Sequence, residues 1–185
     1  MKKILLIVIA LFSLVGCSCN DNNTARGAVE AFLDQYRNLS AEVIEDMDDV
    51  VDNEENLSDE QKDKYRDILR KQYTDLTFDI ISEDYNDDTA LVETKITVYN
   101  LGKAQDEATN YLNEHSEEFY DEFNNYDLSK FLDYKLDLMQ KNTDTISYTI
   151  NFNVEKNEDG IWQVSEISQS DLEKIHGIYK DKENE

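Results

Sequence analysis

The residues best suited by type to hold a ligand are carboxylates. Asp84, Asn86 and Asp88 alternate as the first ligands of a calcium loop do, but Thr89 stands where such a loop needs glycine and Lys95 where it needs a bidentate glutamate. The segment therefore reads as a hairpin turn. Asp46, Asp48, Asp49, Asp52, Glu54 and Glu55 form a second acidic group, and its plainer reading is the solvated face of a helix. With 2 His and 2 Cys in the chain, a zinc site is not expected. The sequence contains no glycine-rich phosphate loop and no nucleophile elbow. No cofactor or metal is expected.

Cys17 carries more specific chemistry. Lys2 and Lys3 precede an apolar run from Ile4 to Val15 interrupted only by Ser13, shorter than the roughly 20 residues needed to span a bilayer. A basic start and a short apolar middle are the pattern of a secretory signal. Leu14, Val15, Gly16 and Cys17 then form a lipobox, which resembles the processing site of bacterial lipoproteins. The resemblance implies removal of residues 1–16 and diacylglycerol on the Cys17 thiol, with enough buried acyl chain for stable anchoring. Residues 17–23 would be the lipidated tether, in which Cys19 is read as an ordinary tether residue. The expected location is the extracytoplasmic face of the cell membrane, with the membrane reached through the anchor.

Charge narrows the partners. The chain has 18 Lys plus Arg against 42 Asp plus Glu, a formal charge of -24. Loss of Lys2 and Lys3 with the signal leaves 16 basic and 42 acidic residues, a balance of -26. Such a surface repels phosphate backbones, which argues against nucleic acid. It also repels anionic head groups, so attachment must be covalent or hydrophobic. The hydrophobic share of 39%, with 11 Tyr and 7 Phe, still allows a packed core, unlike a disordered acidic chain.

The positioning elements centre on Asp144 to Ser168. Ile146, Tyr148, Ile150, Phe152 and Val154 alternate with polar residues, as in a strand burying one face. Asp159 and Gly160 supply a turn, and Ile161 to Ile167 returns as partner. Upstream, Thr24 is a predicted cap for a helix over Ala25 to Leu39, Ser40 for one carrying Val43 to Val51, and Ser58 with Gln61 forms a capping box before a third. Phe78 to Ile81 and Ala90 to Val98 are predicted as the first hairpin, with a turn over Asp84 to Asp88.

Residues 100–142 separate the hairpins. Ala104, Ala108, Tyr111, Leu112, His115, Phe119 and Phe123 recur at helical spacing, so one helix is predicted as far as Asn124. From Asp127 to Lys141 the alternation of Leu132, Tyr134, Leu136 and Leu138 fits a strand, but residue propensity favours a helix, and a helix is predicted. Ser170 is the predicted cap of a last helix ending at Gly177, with a frayed tail over 180–185. The expected fold is a single α+β domain over 24–179: amphipathic helices on a curved antiparallel sheet of about four strands, with a helical insertion between the hairpins.

This arrangement, through Val29 to Tyr36, Thr89 to Val98, and Asn151 to Ile167 with Asp159, Gly160 and Trp162, resembles the cystatin-like or nuclear transport factor 2-like cone. The chain departs from that pattern in its long insertion and in lacking clear fifth and sixth strands. Enzymes on such scaffolds set a base and an acidic donor inside the cone, which would make Tyr99, Tyr148 and His115 the possible donors. No carboxylate interrupts the apolar face from Ile146 to Val154 to serve as base. The resulting expectation is a lipid-anchored binding or accessory module, not catalytic, holding a small apolar ligand or an envelope protein. Tyr148, Phe152, Trp162 and His115 would line its pocket, unless they simply fill the core. The alternatives are an isomerase- or cyclase-type enzyme and a protein-interaction module acting through the insertion.

Overall fold

A computed structural model describes residues 23–180. The signal segment, Cys17, Cys19, nearly all of the tether and residues 181–185 lie outside that range.

Over the described residues the fold is α+β, with six α-helices and an open four-stranded antiparallel sheet in the order β1-β2-β3-β4. The strands are β1 (Thr77–Asn86), β2 (Thr89–Tyr99), β3 (Thr145–Lys156) and β4 (Trp162–Val164). The helices are α1 (Ala25–Arg37), α2 (Ala41–Asp52), α3 (Asp59–Thr74), α4 (Leu101–Glu114), α5 (Leu128–Lys141) and α6 (Gln169–Ile175). The insertion joins two strands that are direct neighbours: β2 and β3 pair over their whole length, from Thr89 opposite Glu155 to Tyr99 opposite Thr145. That register puts Val92, Ile96, Ile150 and Phe152 on one buried face, while Glu93, Lys95, Thr149 and Asn151 lie on the other.

Helix starts follow side-chain chemistry. The hydroxyls of Thr24 and Ser40 accept the N–H groups of Gly27 and Val43. Ser58 and Gln61 exchange the reciprocal bonds of a capping box. α1 lies along the sheet against all four strands, and α2, α3, α5 and α4 pack side by side in that order. Leu101, Ala104, Leu136 and Met139 of the insertion belong to the same buried cluster as Val29, Leu69, Ile96 and Phe152. Gln61 also reaches across to α5, its amide donating to Ser129 O at 3.0 Å and Asp133 Oδ1 at 2.8 Å. The root of the insertion is thus part of the core.

Several boundaries differ from expectation. The hairpin turn is shorter than Asp84 to Asp88: pairing continues to Asn86 opposite Thr89, and Asp87 takes a left-handed φ of 52°. α4 stops at Glu114 instead of running to Phe123, and a 3₁₀ turn, Ser116–Phe119, follows. The break lets Phe119 enter the space between α4 and α5, where it is 3% exposed and edge-on to Phe131 and Tyr134. Burying such a ring is worth about 1.5 to 3 kcal/mol, and the turn keeps a backbone bond from the Glu118 N–H to His115 O at 3.0 Å. Residues 128–141 are helix as propensity predicts, with Asp127 as cap. β4 is only three residues long, and Ser168, not Ser170, caps α6 by accepting the N–H of Asp171.

Candidate interaction surface

The four predicted pocket residues occupy separate surroundings. Phe152 is 2% exposed and meets Phe32 edge-on, with centroids 5.7 Å apart. Trp162 is buried against Tyr85 at 5.5 Å, with the Lys156 ammonium 4.9 Å over its ring. Tyr148 is half-buried and donates to Tyr179 O at 3.3 Å. His115 ends α4, stacked on Tyr111 at 4.3 Å. Two open hollows, of about 350 and 400 Å³, lie beside Lys103, Asp106 and Tyr179 and beside Asp84, Leu91 and Asn153. None of the four lines either hollow.

The acid–base candidates are engaged in holding elements together. The Tyr99 hydroxyl donates to Asp75 Oδ2 at 2.8 Å and also meets the Lys71 ammonium, which itself lies 2.7 Å from Asp75 Oδ2. Hydrogen bonds from Lys71 and Tyr99 hold the Asp75 carboxyl below the usual range. Burial pulls Lys71 down, but its bonds to Asp75 and Tyr99 outweigh this and leave it raised. A base poised near neutrality needs the opposite environment. These groups instead fasten the end of α3 to the end of β2.

A second pairing, Tyr73 with His176, escaped the sequence reading. The Tyr73 hydroxyl lies 3.2 Å from His176 Nδ1, and the rings meet edge-on at 5.6 Å. Burial pushes Tyr73 far up and pushes His176 down to about 4. Tyr73 is 1% exposed, and the pair joins the end of α3 to the end of α6. No local signal pointed to the pairing, because the two residues lie 103 apart in the chain.

Among the described residues no cluster of three or more His, Cys, Asp or Glu is arranged to hold a metal ion. Asp48, Asp52 and Asp63 all converge on Arg66, at 2.9, 2.6 and 3.0 Å, joining α2 to α3. Asp88 accepts from Lys156 at 2.8 Å. The Asp46 carboxyl is raised by burial and by Asp49, Glu45 and Glu42.

The outstanding surface feature is the far end of the insertion. Tyr134, Tyr111 and His115 stack in sequence, with centroids 4.8 and 4.3 Å apart, over the buried Phe119. Beyond this platform Tyr120 bridges to Tyr126, and the Asp127 N–H donates to Phe119 O at 2.8 Å, closing a loop. Inside it, Asp121 Oδ1 accepts the N–H groups of Phe123 and Asn125 at 2.9 and 2.7 Å, while Oδ2 accepts the Asn125 side-chain amide. Asn124 completes the turn at a φ of 64°. These bonds fix the backbone beneath Phe123, which is 77% exposed; Tyr120, Tyr126 and Leu128 are exposed beside it. A loop whose backbone is already hydrogen-bonded in place has less ordering cost to meet on binding.

No family description and no curated protein matches this chain. Its fold is similar to that in the crystal structure of YcdA, a candidate lipoprotein of Bacillus subtilis, with a TM-score of 0.53 and 13% identity over 86% of this chain. The match spans 56% of the length of YcdA. The likeness establishes a shared fold.

Proposed function

We propose that this chain is a lipid-anchored accessory protein of the extracytoplasmic membrane face, not catalytic, which engages a partner protein through the tip of its α4–α5 insertion. The anchor is supported by the lipobox at Cys17 and by a fold shared with a candidate lipoprotein. Among the described residues no helix is long and apolar enough to cross a membrane, so on this reading attachment rests on the acyl chains. The sheet would be an open relative of the nuclear transport factor 2-like cone.

The observation that carries the reading is the exposure of Phe123 on a turn fixed by Asp121. Aromatic residues, Phe among them, are enriched at the cores of protein interfaces relative to the rest of the surface. The tip is also the separable part of the insertion, because the root supplies core residues.

A photo-crosslinking amino acid at position 123 of the full chain, in its own cells, tests this. A discrete adduct is expected from position 123 and none from Asn151, on the open polar face of the sheet. Adducts from neither position, or equally from both, would refute it.

A further inference from the structure

The tip has a chemical asymmetry that specifies its partner. Between Glu114 and Leu128 the sequence places Glu117, Glu118, Asp121, Glu122 and Asp127 around Tyr120, Phe123 and Tyr126, and contains no Lys or Arg. Glu117 and Glu122 are exposed. Asp121 and Asp127 direct their carboxylates to backbone N–H groups of the loop and of α5. The Glu118 carboxylate accepts from the Tyr111 hydroxyl at 3.0 Å. The apolar knob is therefore flanked in the chain by carboxylates, of which Glu117 and Glu122 are exposed. A partner that covered Phe123 without supplying positive charge would bring its own surface against those carboxylates, at a cost in repulsion and desolvation.

The same carboxylates weigh against two other occupants. A second copy would bring the same acidic flank and a formal charge of -24 over the whole chain. A bilayer would require Glu122, adjacent to Phe123 in the chain, to approach hydrocarbon, and anionic head groups would repel the tip.

We infer that the partner is a protein presenting an apolar socket ringed by lysine or arginine, which seats Phe123 between Tyr120 and Tyr126 and faces Glu117 and Glu122. This rests on the interaction reading given above and identifies the class of partner. The socket supplies contact area, and the cationic ring supplies orientation and rate of encounter. Binding therefore weakens as salt screens the ring, since the screening length is about 8 Å at physiological ionic strength.

The test uses the full lipidated chain in neutral detergent as bait for a library of random peptides displayed on phage. Enriched peptides should combine an aromatic or aliphatic residue with two or more Lys or Arg. Their binding should fall about tenfold or more in Phe123→Ser. It should fall roughly two- to fivefold, with a flatter salt dependence, when Glu117→Gln and Glu122→Gln are combined. Neutral or acidic peptides that still require Phe123 would overturn the cationic partner and leave the tip as the binding site. Peptides indifferent to Phe123→Ser would overturn both. Dimerisation of the chain in detergent that Phe123→Ser abolishes would assign the tip to a second copy. Burial of a fluorophore at position 123 in phosphatidylcholine vesicles would assign it to lipid. Either result would sink the proposal.

Discussion

Asp121 Oδ1 lies 2.9 Å from the backbone nitrogen of Phe123, so a carboxylate fixes the most exposed large apolar side chain among the described residues. The same oxygen accepts from Asn125, and these donors, with the Asn125 side chain, hold the Asp121 carboxyl below the usual range. The sign follows directly: the ionised form is favoured in the folded loop, so its contribution is complete above the ordinary aspartate pKa and is lost only as pH falls through the depressed value. Loop order is therefore constant, as far as Asp121 is concerned, from pH 5 to 8. Asp121→Ala should speed amide exchange at Phe123 and Asn125 while leaving β2 and β3 protected. Unchanged exchange in the loop would show that the backbone is held by other means.

His176 makes the fold sensitive to acid in a definable window. Its folded-state pKa of about 4 lies below the ordinary value of 6.5, so folding excludes a proton that the unfolded chain accepts. The contribution is complete above pH 6.5 and is lost progressively down to pH 4, amounting to about 2 kcal/mol at pH 5. Relief of repulsion among the many carboxylates acts in the opposite direction, so wild type alone would be ambiguous. His176→Gln keeps a partner for Tyr73 and removes the titration. Relative to that variant, wild type should lose roughly 4 to 8 °C in melting temperature between pH 7 and pH 5. Parallel melting curves at both pH values would show that the imidazole is solvated.

Gln72 and Gly177 form the joint that ties α3, β2 and α6 together. The Gln72 amide is fully buried, accepts the Tyr99 N–H at 3.1 Å and donates to Tyr99 O and Ile175 O. Gly177, at a φ of 71°, accepts the Gly102 N–H on its carbonyl oxygen at 2.8 Å. A β-carbon there would collide with the Tyr99 carbonyl and lie 2.5 Å from Gln72 Nε2. Gln72→Leu should cost about 2 to 4 kcal/mol by leaving these backbone groups unpaired. Gly177→Ala should undock α6, seen as rapid exchange over residues 169–178 in a chain whose sheet remains protected.

The parts of this fold written into short-range chemistry could be read directly. Thr24, Ser40 and the Ser58–Gln61 pair mark their helix starts because each cap depends on a hydrogen bond three residues away. The alternation from Ile146 to Val154 likewise fixes which face of β3 is buried. What spacing could not separate was Phe119 from Phe123. They lie four apart on one apparent stripe, yet one is 3% and the other 77% exposed, because the packing of α4 against α5 decides where the helix ends. Asp121, Asn124 and Asn125, residues that favour turns, surround Phe123 and were the local sign of a turn. The Tyr73–His176 and Gln72–Tyr99 pairings span 103 and 27 residues, and local pattern carries no information at such separations.

Thr94 offers a stability test independent of the tip. It lies in the middle of β2, opposite Ile80 on one side and Ile150 on the other, and is 0% exposed. Its Oγ1 is a buried side-chain atom with no hydrogen-bond partner among the described residues. Folding therefore strips this hydroxyl of water without replacing the bonds, which typically costs about 1 to 3 kcal/mol. Thr94→Val keeps the branched shape and puts a methyl group among Ile80, Ile150 and the rest of the core. It should stabilise the protein by about 1 kcal/mol, raising the melting temperature by roughly 2 to 4 °C. A fall would mean that the hydroxyl is satisfied in solution by a buried water, and that the middle of the sheet is less dry than its apolar lining implies.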